Sequence, residues 1–246
     1  QQYSNTDLRA DRIVVAGQGA ESTAQFNNVR LHAEKTLALS ALKSAALSQA
    51  QWAGGSLSVS EVGALTTSTD SVLAFSNASL SQLASFVHEG VLDAGTLALS
   101  DIASLRNQGR LVGRGSARLE RLTSLENHGD VLAVDIAGEG NGTLDNRGTV
   151  AVRGGDVSFT RWENQGKLLA ADASVGYTQF INASGGTVGG LGTLTLRGGA
   201  GSQWQNQGQV EAKGNIDLYG QTLQNAGALI LSGNLTLGRQ AGDVSG

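Results

Sequence analysis

Between Trp204 and Tyr219 apolar or small residues alternate with polar ones without a break. Trp204, Asn206, Gly208, Val210, Ala212, Gly214, Ile216 and Leu218 fall on one side, and Gln205, Gln207, Gln209, Glu211, Lys213, Asn215, Asp217 and Tyr219 on the other. A period of two is that of a β-strand, whose side chains point alternately to opposite faces. The run is far longer than a typical strand of about 5–6 residues, and it carries an Asn-x-Gly on its apolar side.

The unit recurs as LRNQGRL, LENHGDV, LDNRGTV, WENQGKL, WQNQGQV and LQNAGAL, with a looser copy in FINASGG. Its asparagines are Asn107, Asn127, Asn146, Asn164, Asn182, Asn206 and Asn225, at spacings of 20, 19, 18, 18, 24 and 19 residues. FVHEGVL fits one step earlier, with His88 in the Asn slot. Two residues before each slot stands a large apolar side chain: Phe86, Leu105, Leu125, Leu144, Trp162, Phe180, Trp204 and Leu223. Four residues after it stands Leu92, Leu111, Val131, Val150, Leu168, Val210 or Leu229. The Asn182 unit breaks this offset, and its GGTVGG reads as a two-residue insertion.

A strand with one apolar face cannot bury that face alone, but stacked copies form a continuous core. No helical period of 3.6 and no leucine-rich signature accompanies the repeat. The expected fold is therefore all-β, a parallel β-helix with coils of about 19–20 residues stacked about 4.7–4.9 Å apart. The chain of 246 residues then makes about twelve coils, a rod of about 60 Å. The Asn-x-Gly is expected at a corner, where Asn and Gly tolerate left-handed dihedrals. The seven asparagines are expected to stack into an amide ladder.

Residues 86–246 hold the regular repeats, and residues 1–85 read as less regular coils continuous with them. There Phe26, Trp52 and Phe75 are assigned to the bulky slot, although Phe75 and Phe86 lie too close for both to occupy it. LALSALKSAALSQAQ, residues 37–51, reads as Ala-filled coils or, from its Ala/Leu content, as a helix.

Composition agrees with a chain paired nearly everywhere. There are 35 Gly but no Pro, a residue that cannot donate to a strand ladder. The absence of Cys excludes disulfides, Cys-bound zinc and cysteine nucleophiles. The absence of Met, with Gln at position 1, suggests a piece of a longer or processed polypeptide. A net charge of −4 with 15% charged residues gives no basis for a nucleic-acid partner. No apolar run approaches the length that spans a bilayer.

Units such as LDNRGTVAVRGGDVSF, repeated over about residues 86–237, resemble the haemagglutinin repeats of filamentous haemagglutinin and contact-dependent inhibition exoproteins. The resemblance implies a right-handed parallel β-helix within a large, monomeric fibre on the surface of a Gram-negative bacterium. It implies two-partner secretion through a dedicated outer-membrane transporter. It also implies adhesion to a receptor or glycan on host or neighbouring cells, or presentation of a distal domain. Neither the family's secretion domain, with its Asn-Pro motifs, nor a toxin-like module is evident, so the segment reads as shaft or receptor-binding shaft.

Candidate chemistry is sparse. No catalytic, metal or cofactor motif stands out, and His32, His88 and His128 lack metal-ligand spacing. One residue before the Asn slot, Glu126, Asp145 and Glu163 are expected to form an outward carboxylate ladder. Its carboxylates, about 5 Å apart, are close enough to raise one pKa and to serve a β-helical polysaccharide lyase or glycosidase. The plainer reading is a solvated stripe relieved by Arg106, Arg147, Arg161 and Lys167. Arg106, Arg110, Arg114, Arg118 and Arg121 form a basic row that would suit a polyanion. Glu126 and Asp130 are expected above Arg106 and Arg110, with no acid evident for Arg114 and Arg118. Trp52, Trp162 and Trp204 are assigned to the core rather than to sugar stacking. Four glycosylation sequons, at Asn77, Asn141, Asn182 and Asn234, are at the level expected by chance. The favoured reading is a non-enzymatic adhesive shaft. The enzyme is the alternative, and a trimeric tailspike-like fibre is a third.

Overall fold

A computed structural model describes residues 1–18 and 21–238. It is all-β, 82% strand without a helix, and winds as a parallel solenoid of about 12 coils with turns of about 20 residues. The long strands run through the corners of the coil: β1 (Gln2–Ala16), β2 (Thr23–Ser48), β3 (Gln51–Thr67), β4 (Val72–His88) and β5 (Val91–Asn107). Each pairs in parallel with the next. After Asn107 one coil is divided into β6 (Arg110–Glu120) and β7 (Ser124–Asn127), both paired to β5. Long strands resume in β8 (Asp130–Asn146), β9 (Thr149–Asn164) and β10 (Lys167–Asn182), and shorter ones follow.

Three ladders of paired segments run along the solenoid, giving each coil three faces. The first contains Leu111, Val131, Val150 and Leu168 in register, the second Val157, Val175, Leu196 and Leu218, and the third Leu125, Leu144, Trp162 and Phe180. Their inward side chains form one apolar column after another, and all twelve of these residues are buried. Identical positions stack because the coils share a register, so large side chains accumulate in the bulky column. There Trp162 and Phe180 stack with ring centres 6.1 Å apart, and Phe159 meets Trp162 edge-on at 5.1 Å.

The amino-terminal coils are continuous with the rest, through the same parallel register. Two assignments there are corrected. Trp52 stands in the column of Leu31, Leu73 and Leu92, and Phe75 in that of Gly54 and Ala94. The bulky column runs instead through Ala45, Leu65 and Phe86. Phe26 and Trp52 still meet in the core, edge-on at 4.8 Å. The Ala/Leu-rich stretch is strand through Ser48, with Leu37, Leu39, Leu42, Ala45 and Leu47 buried. Its helix propensity yields to the stacking neighbours on both sides. The GGTVGG insertion lies where expected, placing Val188 in register with Leu168 and Val210.

The corner chemistry differs from expectation. None of the ladder asparagines or the glycines two residues after them has a positive φ. These glycines are needed for close approach: a Cβ on Gly129, Gly148 or Gly166 would lie 2.0–2.1 Å from the carbonyl oxygen of the glycine one coil below. Left-handed residues recur at another corner, at Ala41, Glu61, Gln82, Asp101 and Arg121, and in the amino-terminal coils also at Asn5, Asn28 and Gln49, with φ from 50° to 56°. Gln49 stands two residues after Leu47, which shares the column of Asn107. Register pairs bracket Ala41, Glu61, Gln82 and Asp101 on successive coils. At the next coil Gly140, φ 70°, lies against the Arg121 side chain.

Candidate functional site

The asparagine column is the most ordered polar feature. Asn107 Nδ2 donates to Asn127 Oδ1 at 2.7 Å, and the relay continues through Asn146, Asn164, Asn182 and Asn206 to Asn225, at 2.7–2.8 Å throughout. Each amide also donates to a backbone carbonyl at the corner, as Asn146 does to Lys167 at 3.1 Å. Asn107 through Asn206 are buried. A buried amide left unpaired costs about 1–3 kcal/mol, and the stack supplies a partner to all but its first oxygen. That oxygen, Asn107 Oδ1, is buried without a donor.

His88 occupies the slot one coil earlier and does not supply that donor. Its Nδ1 lies 2.7 Å from Thr67 Oγ1 and its Nε2 lies 3.1 Å from the Arg110 carbonyl. These contacts suit a neutral ring that accepts from the hydroxyl at Nδ1 and donates from Nε2. Burial disfavours the imidazolium and pushes the His88 pKa down to about 4.

The outward carboxylates do line up: Glu126, Asp145 and Glu163 are register partners on three successive coils. Each, however, is held by a base. Glu126 meets His128 at 2.7 Å and Arg106 at 3.4 Å, Asp145 meets Arg147 at 3.0 Å, and Glu163 meets Arg161 at 2.8 Å. Gln165 also donates to Glu163 at 3.2 Å. The His128 contact, chiefly, holds the Glu126 carboxyl below its usual range, and the Arg161 hydrogen bond does the same for Glu163. Neither is raised, as a general acid would require.

The basic row is also arranged differently from its linear reading. Arg106 lies on the third face, Arg110 on the first, Arg118 on the second, and Arg114 and Arg121 at corners. All five are paired. Glu126 and Asp130 serve Arg106 and Arg110 at 3.4 and 3.6 Å, as expected. Arg114 meets Asp93 at 2.9 Å and donates to the Phe75 carbonyl at 3.2 Å. Arg118 meets Glu120 at 2.5 Å, and Arg121 binds Asp101 through two hydrogen bonds of 2.6 and 2.8 Å. The acids that serve Arg114 and Arg118 are not on the following coil, where the sequence pattern places those of Arg106 and Arg110. Asp93 lies on the preceding one, and Glu120 two residues away on the same strand.

The three tryptophans are buried, as expected of core residues. Trp162 Nε1 donates to the Gly176 carbonyl at 3.1 Å. Of the sequon asparagines, Asn141 and Asn182 are buried and bonded within the core, which bars them from carrying a glycan in the folded chain. Among the described residues no group of three or more His, Cys, Asp or Glu is placed to hold a metal ion. Nor among the described residues is any helix long and apolar enough to cross a membrane. Comparison with protein-family models, with curated proteins and with solved structures gives no match.

Proposed function

We propose that the chain is a shaft or receptor-binding segment of a large secreted adhesin on a Gram-negative cell surface, of the filamentous haemagglutinin kind. In this reading it has no catalytic role. It attaches to a cell-surface receptor or glycan or holds a distal domain away from the cell, and it is exported through an outer-membrane two-partner-secretion transporter. The observation that carries the reading is the bare outline of the solenoid. From Gln51 to Gly238 no gap between strands exceeds four residues, so no long loop rises from the coils to wall a substrate cleft. The ladder carboxylates and the arginine row are held in ion pairs, and the buried amide relay stiffens the corner along the axis.

Two measurements test the proposal. Fused behind a two-partner secretion domain, the chain should reach the culture medium only when the cognate transporter is present. Retention in the periplasm would count against it. Incubated with a panel of acidic and neutral polysaccharides, the purified chain should release no new reducing ends. Cleavage abolished by Glu126→Gln or Glu163→Gln would replace the shaft with the enzyme.

A further inference from the structure

On most of the surface the outward columns are polar. Along one edge of the first face they read Arg110, Asp130, Thr149, Lys167, Thr187 and Gln209 on successive coils. Two residues further along each coil the outward column changes character: Val112, Leu132, Ala151, Leu169 and Gly189 stack in register over five coils. It becomes acidic at both ends, with Asp93 before Val112 and Glu211 after Gly189. Beside this stripe the corner raises a mixed row of Arg114, Val134, Arg153, Ala171 and Leu191, in which Val134 is 47% and Leu191 67% exposed. Stripe and corner together enclose an open groove of about 550 Å³. Five coils span about 19 Å along the axis. The volume lies within the range of small-molecule sites, about 300–1,000 Å³.

The charges in the groove are of one sign. Arg114 and Arg153 line it, and no carboxylate does. Asp93 already engages Arg114. Among the described residues Arg153 makes neither an ion pair nor a side-chain hydrogen bond, and it stands two residues beyond Ala151, at the middle of the stripe. An exposed guanidinium beside a strip of aliphatic side chains is complementary to a molecule with an anionic head and a hydrocarbon tail. Two other occupants fit less well. An added peptide strand needs free backbone groups, and those of the first face are paired coil to coil. A second copy of the chain would bury only a handful of side chains here, well short of the roughly 800 Å² per partner of a stable interface. A two-fold axis at Ala151 would also bring two Arg153 side chains together.

We infer that this groove binds a single-chain anionic amphiphile, with its tail along Val112, Leu132, Ala151 and Leu169 and its head group at Arg153. The site lies on the first face, away from the carboxylate ladder on the third, and does not rest on the adhesin reading.

The test is titration calorimetry of the full chain with dodecanoate, held below its critical micelle concentration. Acetate serves as the head group alone, and dodecyl maltoside as the same tail on an uncharged head. Saturable binding of one dodecanoate per chain is expected, with no binding of acetate and at least about tenfold weaker binding of the maltoside. Leu132→Gln and Arg153→Gln should each weaken dodecanoate by about tenfold, with the β-sheet circular dichroism unchanged. Both side chains face outward, and Arg153→Gln, at an exposed unpaired position, keeps the test open should Leu132→Gln misfold. Absence of saturable binding overturns the inference, as does binding indifferent to both substitutions. Concentration-dependent dimerisation abolished by Leu132→Gln would also overturn it, by assigning the stripe to a second copy.

Discussion

A single histidine interrupts an otherwise uniform file of amides, and its consequences can be measured. In the Asn column each side chain both donates and accepts along the axis. His88 turns its ring to Thr67 and the Arg110 carbonyl instead, leaving Asn107 Oδ1 without a donor. Because folding holds the His88 pKa down at about 4 against an ordinary 6.5, the unfolded chain takes up the proton first. The stabilisation is complete above pH 6.5 and is lost as pH falls from there towards about 4, by about 3 kcal/mol in all. His88→Asn should remove that part of the pH dependence and extend the relay by one donor to Asn107. Thermal melts at pH 5 and pH 8 check this: the variant should be more stable than the parent at pH 5, and its advantage should shrink by about 2 kcal/mol at pH 8, where the proton-linked part is gone.

Two of the three corners of the coil solve different steric problems. At the Asn-x-Gly corner the chain passes so close to the coil below that a side chain would overlap a carbonyl. At the corner occupied by Ala41, Glu61, Gln82, Asp101 and Arg121 the backbone turns through the left-handed region with ordinary residues. Stacking and the Asp101–Arg121 pair hold it there despite an intrinsic cost of about 1–2 kcal/mol per residue. Gly148→Ala would set a Cβ 2.0 Å from the Gly129 carbonyl oxygen, whereas a Cβ on Gly199 meets nothing within 4 Å. Gly148→Ala should therefore destabilise by about 1–3 kcal/mol or more, and Gly199→Ala should be nearly neutral. Parallel urea titrations of the two variants check the contrast. The first corner was legible as a motif, although its cause was close approach rather than a left-handed dihedral. The second was not, because its five residues share no chemistry: only the backbone path unites them.

Along the whole molecule, contacts join each coil chiefly to its two neighbours, so stability is a sum of coil and interface contributions. Central coils have neighbours on both sides. At the carboxy-terminal end, by contrast, Leu229 and Leu237 are 41% and 59% exposed. Amide hydrogen exchange in the 246-residue chain should be slowest between Val91 and Asn182 and should quicken stepwise towards Gln2 and Leu237. Uniform protection over all coils would show that the solenoid opens as one unit instead. The surface of the rod follows from the same stacking. Charges one coil apart are brought within reach of each other, so the arginine row of residues 106–121 becomes a set of local pairs on several faces rather than a basic strip.

The periodicity of the chain was sufficient for the fold class, the coil length, the inward position of Leu144, Trp162 and Phe180, and the amide relay. Every coil repeats the same one-dimensional pattern, and stacking in register is the arrangement that buries it. Columns in the first 85 residues, the left-handed corner and the partners of Arg114 and Arg118 required the folded chain. Each depends on which residue of one coil lies over which residue of another, and a shift of one or two residues at a corner changes that pairing while leaving the alternation of apolar and polar positions untouched.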